Sequence, residues 1–201
     1  MIDIVPIFPT AIFRNRLDIK LTDEEVNIIS SIKTFDQALG NELSYDGWVL
    51  EQLGLERLKQ ICLDNVHLYA KEIMQVDNEM YITNSWLNIT DKDRQHILHC
   101  HTNSIISGVF YVKASDSQPS ISFNRMSPPF LLNLKSKEYN QYNSIEWSVP
   151  VEDNMLIIFP SSCYHYVQPN ETNNKRISIA FNTFIRGQLG AVREGADLFL
   201  K

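Results

Sequence analysis

From Thr22 onward, apolar positions recur every three to four residues. Thr22 and Glu25 have capping-box spacing, and Val26, Ile29 and Ile32 follow on one face, which predicts a helix of about three turns ending near Thr34. A longer helical pattern covers residues 51–74. There Leu53, Leu58, Ile61, Cys62, Val66, Tyr69 and Ile73 mark one face, and Lys59, Asp64 and Lys71 the other. Beyond Glu79 the period falls to two. Short β-branched and aromatic runs at 81–89, 105–112, 119–123, 144–149, 155–159 and 176–185, separated by turn-forming residues, predict about six strands. The opening apolar run, 4–13, contains Pro6 and Pro9. Proline removes ladder donors, so this run is expected as an edge strand.

Helices first and strands afterwards argue for segregated layers: a mainly β fold with supporting α-helices, a β-sandwich or jelly roll with the helices packed on one sheet. The helices alone have too little apolar surface for a core of their own. Residues 1–201 therefore read as one domain, with helical support roughly over 22–74 and a β-core roughly over 80–185. Eighteen basic against 24 acidic residues give a net charge of −6, a sign that repels phosphate backbones and anionic lipid and makes nucleic acid an unfavoured partner. No run approaches the ~20 apolar residues of a membrane span. Residues 1–10 carry Asp3 and two prolines rather than a secretory signal, and Cys62, Cys100 and Cys163 are too few for a disulfide framework. A cytoplasmic setting is expected. Neither GxGxxG nor GxxxxGK[ST] occurs, which excludes the usual phosphate-cradling loops.

The chemistry lies in the histidines. His67 reads as a surface residue of the second helix and His96 as a plain residue of the polar connection that begins at Asp91. His99 and His101 differ: in an extended segment residues i and i+2 project to one side, so both imidazoles can reach one ion. His165 follows the apolar run 156–159 and the turn Pro160-Ser-Ser. It can supply a third nitrogen if its strand lies beside the strand that follows His101. Arg176 and Ser178 share one face of the last long strand. A guanidinium fork with a neighbouring hydroxyl suits a carboxylate, and so implies a dicarboxylate near the metal; the other reading pairs Arg176 with Glu171 or Asp153.

The run His99-Cys-His101-Thr-Asn-Ser104-Ile-Ile-Ser107-Gly108-Val-Phe-Tyr111, then Phe159-Pro160 with His165, then Arg176-Ile-Ser178-Ile-Ala-Phe-Asn182, resembles the 2-oxoglutarate and Fe(II)-dependent oxygenases. More narrowly it is similar to their prolyl-hydroxylase-like branch with the pattern HxHxxSxxSGxxY. The likeness covers residues 81–184, with a looser one at Pro6-Ile-Phe-Pro9. It implies a double-stranded β-helix, a jelly roll related to the cupins, and an enzyme that hydroxylates a substrate while converting 2-oxoglutarate to succinate. Under it His99 is the first metal ligand and His165 the distal one. Arg176 and Ser178 hold the far carboxylate of 2-oxoglutarate, Tyr111 offers a phenol to the same group, and Asn88 contacts the near carboxylate. The sequence departs from the wider superfamily at His101, where Asp or Glu is usual. Either His101 is the remaining ligand, or a carboxylate such as Asp116 or a bound anion replaces it, and the metal could be Fe(II), Zn, Ni or Co.

Residues 125–143, with Phe130, Tyr139 and Tyr142, are the candidate lid over the substrate, which the sequence does not identify. A homodimer contact through 196–200 and the segment near Ile4 is a further expectation. Two rival readings stand beside the oxygenase: a cupin-type dioxygenase with three histidines and no co-substrate, and a non-catalytic jelly roll holding structural zinc, with Cys163 on the parity of His165 and Cys100 alternating away.

Overall fold

Thr22 caps the first helix as its spacing predicts. Its hydroxyl accepts from the Glu25 N–H at 3.1 Å, and the Glu25 carboxylate accepts from the Thr22 N–H at 2.8 Å. In this computed structural model, which describes residues 1–37, 40–114, 119–132, 134–190 and 195–201, helix α1 spans Asp23–Ser31. It stops short of Thr34 because the chain there enters a short hairpin, β2 (Thr34–Asp36) with β3 (Glu42–Ser44). Ile29 is buried, whereas Val26 is exposed.

The predicted helix over 51–74 is three pieces. A 3-10 turn occupies Val49–Glu51, α2 occupies Glu56–Tyr69, and a π-helical turn, Ala70–Met74, ends at Gln75. The break falls at Gly54, whose φ of +93° is incompatible with a continuing right-handed helix, and Leu53 beside it is exposed rather than on the buried face. From Leu58 the periodicity holds: Leu58, Cys62, Val66 and Tyr69 are buried, although Ile73 is exposed.

The six predicted runs all form strands. They are β4 (Met80–Thr90), β6 (Ile106–Lys113), β7 (Ser120–Asn124), β8 (Glu146–Pro150), β9 (Met155–Pro160) and β11 (Arg176–Ile185). Between and around them lie shorter strands that the pattern did not show: β1 (Phe13–Arg16), β5 (His96–His99), β10 (Tyr164–Val167), β12 (Gly187–Leu189) and β13 (Leu198–Leu200). The run 4–13 is not a strand. The edge strand begins where that run ends, as β1, paired antiparallel with β9.

Among the described residues, one sheet has the order β1-β9-β6-β11-β4-β3-β2 and faces a second of order β5-β10-β7-β8, while β12 and β13 form a separate hairpin. This is the mainly β, two-sheet architecture of the double-stranded β-helix. Strand alternation divides the large sheet into two faces. Phe110, Leu156, Ile158, Ile179 and Phe181 pack with α2. Val109, Tyr111, Ile157, Phe159 and Ala180 form a second cluster with Ile121 of the smaller sheet. Gly108 is needed where Phe181 crosses it, since a Cβ there would lie 2.2 Å from the Phe181 ring. Even-numbered residues of β11 therefore look toward the smaller sheet, which fixes the direction of Arg176, Ser178 and Asn182. No described helix is long and apolar enough to cross a membrane.

Candidate metal centre and its pocket

Strand β5 ends at His99, which lies opposite His165 of β10 in the smaller sheet. Two residues on, the His101 backbone N–H donates to the Ser161 carbonyl at 2.9 Å and brings a third ring to the same place. The neighbour that supplies His165 thus borders the strand preceding His101. The strand that follows His101, β6, pairs instead with β9 and β11. One ring nitrogen from each of His99, His101 and His165 lies within 4.8 Å of the others, and the Nε2 atoms of His99 and His101 are 3.3 Å apart.

Hydrogen bonding assigns the tautomers. Nδ1 of His99 faces the Ile97 carbonyl at 2.7 Å, and Nδ1 of His165 faces the Cys163 carbonyl at 2.9 Å. A carbonyl can only accept, so each Nδ1 carries the proton. Nδ1 of His101 meets the side-chain oxygen of Asn182, with the Ser107 hydroxyl at 2.9 Å. Ser107 in turn donates to Asn182 at 2.8 Å and contacts the Ser161 hydroxyl at 2.8 Å. Every Nδ1 is occupied, which leaves the Nε2 lone pairs for an ion. Histidine metal ligands are commonly fixed by such outer partners.

Burial also disfavours protonation of His101 and His165. His165 is 3% exposed, and burial outweighs the Cys163 hydrogen bond to pull its pKa down to about 3, with neighbouring histidines adding to the effect. Burial lowers His101 as well, against its bond to Asn182. His96 is pulled down to about 3 by burial and then by His99 and His101. These shifts fix the sign of the pH response. Below the ordinary histidine value of 6.5 the unfolded chain takes up protons that the folded metal-free protein refuses, so stability falls with acid until about pH 3. His96 and His165 each contribute about 1 kcal/mol per pH unit in that window. Urea unfolding of the metal-free protein at pH 7 and pH 5 is expected to show this loss, and His165→Phe is expected to flatten it. Equal slopes in the two proteins would discredit the assignment.

The rings form one end of a pocket. Asn88, Tyr111, Arg176 and Ser178 line the same space, so all seven residues singled out in the sequence meet there. The register explains it: Tyr111, Ser178 and Asn88 lie side by side on β6, β11 and β4, and Arg176 is opposite Thr90. Among the described residues no Asp or Glu belongs to the lining. Asn88 accepts from the Asn41 amide at 2.8 Å, which leaves its own amide nitrogen as a donor. Arg176 is 4% exposed; its Nη1 donates to the Gln168 carbonyl at 3.3 Å, but its Nε has no partner. Among the described residues Arg176 forms no ion pair. Asp153 is engaged by the Ala114 N–H at 2.7 Å, so pairing with Glu171 or Asp153 is set aside. The orphaned guanidinium N–H, in a pocket with no acid among its described lining residues, can take an acceptor from outside the chain.

Other expectations shift. His67 is not a free surface residue: its Nε2 meets the Met80 carbonyl at 3.0 Å and ties α2 to β4. His96 opens β5 instead of lying in a loop, and its ring stacks on His99 with centroids 4.6 Å apart, inside the pocket. Cys163 contributes its carbonyl, while its thiol is outside the histidine cluster and packs against the second core. Asp116 lies outside the described residues. The described residues of 125–143 do not line the histidine pocket; Phe130, Leu132 and Tyr139 gather round a separate surface cavity of about 540 Å³. Asn182 and Ser107 were missed as supports of His101, although Asn182 has the same strand parity as Arg176 and Ser178.

Residues 84–182 match the family model described as "Putative 2OG-Fe(II) oxygenase". No curated protein sequence matches the chain. Among solved structures, a prolyl-4-hydroxylase of Pseudomonas putida aligns with TM-score 0.55 and 10% identity, over 89% of this chain and 94% of that one. HygX of Streptomyces hygroscopicus, solved with nickel, 2-oxoglutarate and hygromycin B, aligns with TM-score 0.58 and 11% identity, over 87% and 82%. An oxygenase-family oxidoreductase of Burkholderia pseudomallei gives 0.54 and 12%, over 79% and 74%. At such identities the likeness is one of fold.

Proposed function

Because residues 84–182 match the 2OG-Fe(II) oxygenase family model, we propose that the protein is a 2-oxoglutarate-dependent dioxygenase that hydroxylates its substrate, with His99, His101 and His165 as the ligands of Fe(II). The observation that carries this reading is the buried, unpaired Nε of Arg176 in the same pocket as three converging histidine nitrogens, with no acid among the described lining residues. The donor set suits a divalent metal, and the orphaned guanidinium suits a diacid.

When bound, iron with 2-oxoglutarate and oxygen supplies the oxidising power for hydroxylation, at the expense of decarboxylating the co-substrate to succinate. The protein's own residues hold and orient. Arg176 and Ser178 grip the far carboxylate, with the Tyr111 phenol beside them, and the Asn88 amide donates to the near one. Burial pushes the Tyr111 phenol up, so it stays protonated as a donor. Trp86, Val109, Ile121 and Ala180 line the walls and limit water. With His101 in the place of the usual carboxylate, the centre keeps one more unit of positive charge, which favours anionic co-ligands and shifts the metal's potential.

Calorimetry of the metal-loaded protein with 2-oxoglutarate, followed by succinate measurement with Fe(II) in air, tests the reading. Micromolar binding and succinate release are expected. A protein that takes up metal but ignores 2-oxoglutarate would instead fit the three-histidine cupin reading, in which Arg176 has no task.

A further inference from the structure

The neglected histidine of the pocket is His96. In a regular strand, residues three apart point to opposite faces, so His96 and His99 would diverge. Here the pairing of β5 with β10 slips between His165, opposite His99, and Val167, opposite His96. An irregularity of this kind re-aims a side chain, and it turns both rings into one pocket, stacked 4.6 Å apart. His96 also shares the pocket with Arg176. Its strand partner is Val167, and the next residue, Gln168, supplies the carbonyl that accepts from Arg176 Nη1. Among the described residues the His96 ring forms no hydrogen bond, although those of His99, His101 and His165 all do. One pocket therefore holds two incompletely used donors that approach from opposite sheets, an imidazole on β5 and the Arg176 Nε on β11.

We propose that His96 is a further binding residue for the co-substrate, donating a ring N–H to the far carboxylate of the diacid opposite the Arg176 fork. The inference rests on the oxygenase reading and extends it. Arg176 and Ser178 reach the carboxylate from the large sheet, and His96 closes the grip from the small one. Diacid binding thereby couples the two sheets and braces the ring of His99 through the stack.

The test compares two probes on nickel-loaded protein by calorimetry: 2-oxoglutarate, and 2-oxopentanoate, which lacks the far carboxylate. His96→Phe keeps a ring against His99 but removes the N–H. It is expected to weaken 2-oxoglutarate about tenfold or more, as loss of a hydrogen bond to a charged group does, and to leave 2-oxopentanoate within about twofold. Nickel affinity is expected to stay within about threefold. Should the larger ring disturb β5, His96→Leu offers the same comparison. Equal binding of 2-oxoglutarate by variant and parent overturns the proposal, and so does an equal loss for both probes, which would make His96 a support of the fold or metal alone. If the parent protein itself does not bind 2-oxoglutarate, the oxygenase reading fails first and this inference with it.

Discussion

Replacing Arg176 by methionine is expected to make the ligand-free protein more stable while destroying its affinity for the diacid. The guanidinium is 4% exposed, has an Nε without a partner, and forms no ion pair among the described residues. Burying such a charge costs several kcal/mol that no internal carboxylate offsets, and apolar side chains of similar volume are often better tolerated there. A gain of about 1–3 kcal/mol, or roughly 2–10 °C in Tm, is expected. Binding moves the other way. Removing one partner of a buried charged contact costs about 2–5 kcal/mol, so 2-oxoglutarate affinity is expected to fall by about thirtyfold to several thousandfold. Arg176→Lys retains the charge but not the fork, and is expected to fall between. The pair of measurements is thermal unfolding without ligand and calorimetry with it. An Arg176→Met variant that melts lower and binds equally well would mean that Arg176 serves the fold.

The second large effect separates ligands from their supports. His165→Ala leaves two ring nitrogens where there were three and removes the best-buried of them, whereas Asn182→Ala leaves all three rings and still offers His101 the Ser107 hydroxyl. Loss of an outer partner typically costs about 10–100-fold in metal affinity. Asn182→Ala is expected at the low end of that range and His165→Ala well beyond it. Nickel titration followed by Tm gives a direct reading: a metal at 100 times its Kd raises stability by about 2.7 kcal/mol, an increment expected to vanish in His165→Ala. Undiminished nickel stabilisation in that variant would refute the three-histidine assignment.

Much of this site was legible because strands announce themselves through alternation. β11 alternates apolar residues that pack on α2 with Arg176, Ser178 and Asn182 on the other face, so the parity that gives the strand also gives the direction of its polar side chains. The HxH pair was legible for the same reason. What stayed hidden depends on departures from regular geometry or on very short elements. β5 and β10 are four residues each and carry histidines where a strand pattern wants apolar ones. The pairing slip that turns His96 inward leaves no trace in the hydrophobic period. Gly54 breaks a helical pattern that reads as continuous through 51–74, because one residue of left-handed backbone ends a helix without disturbing the spacing of its neighbours. The run 4–13 has the composition of a strand but finds no partner until Phe13 reaches β9.

The make-up of the pocket has an electrostatic consequence. Its described lining holds an arginine and no acidic side chain, so the field inside favours anions in general. Chloride and sulfate are expected to compete for the same space, and the diacid to bind more weakly as either salt is added.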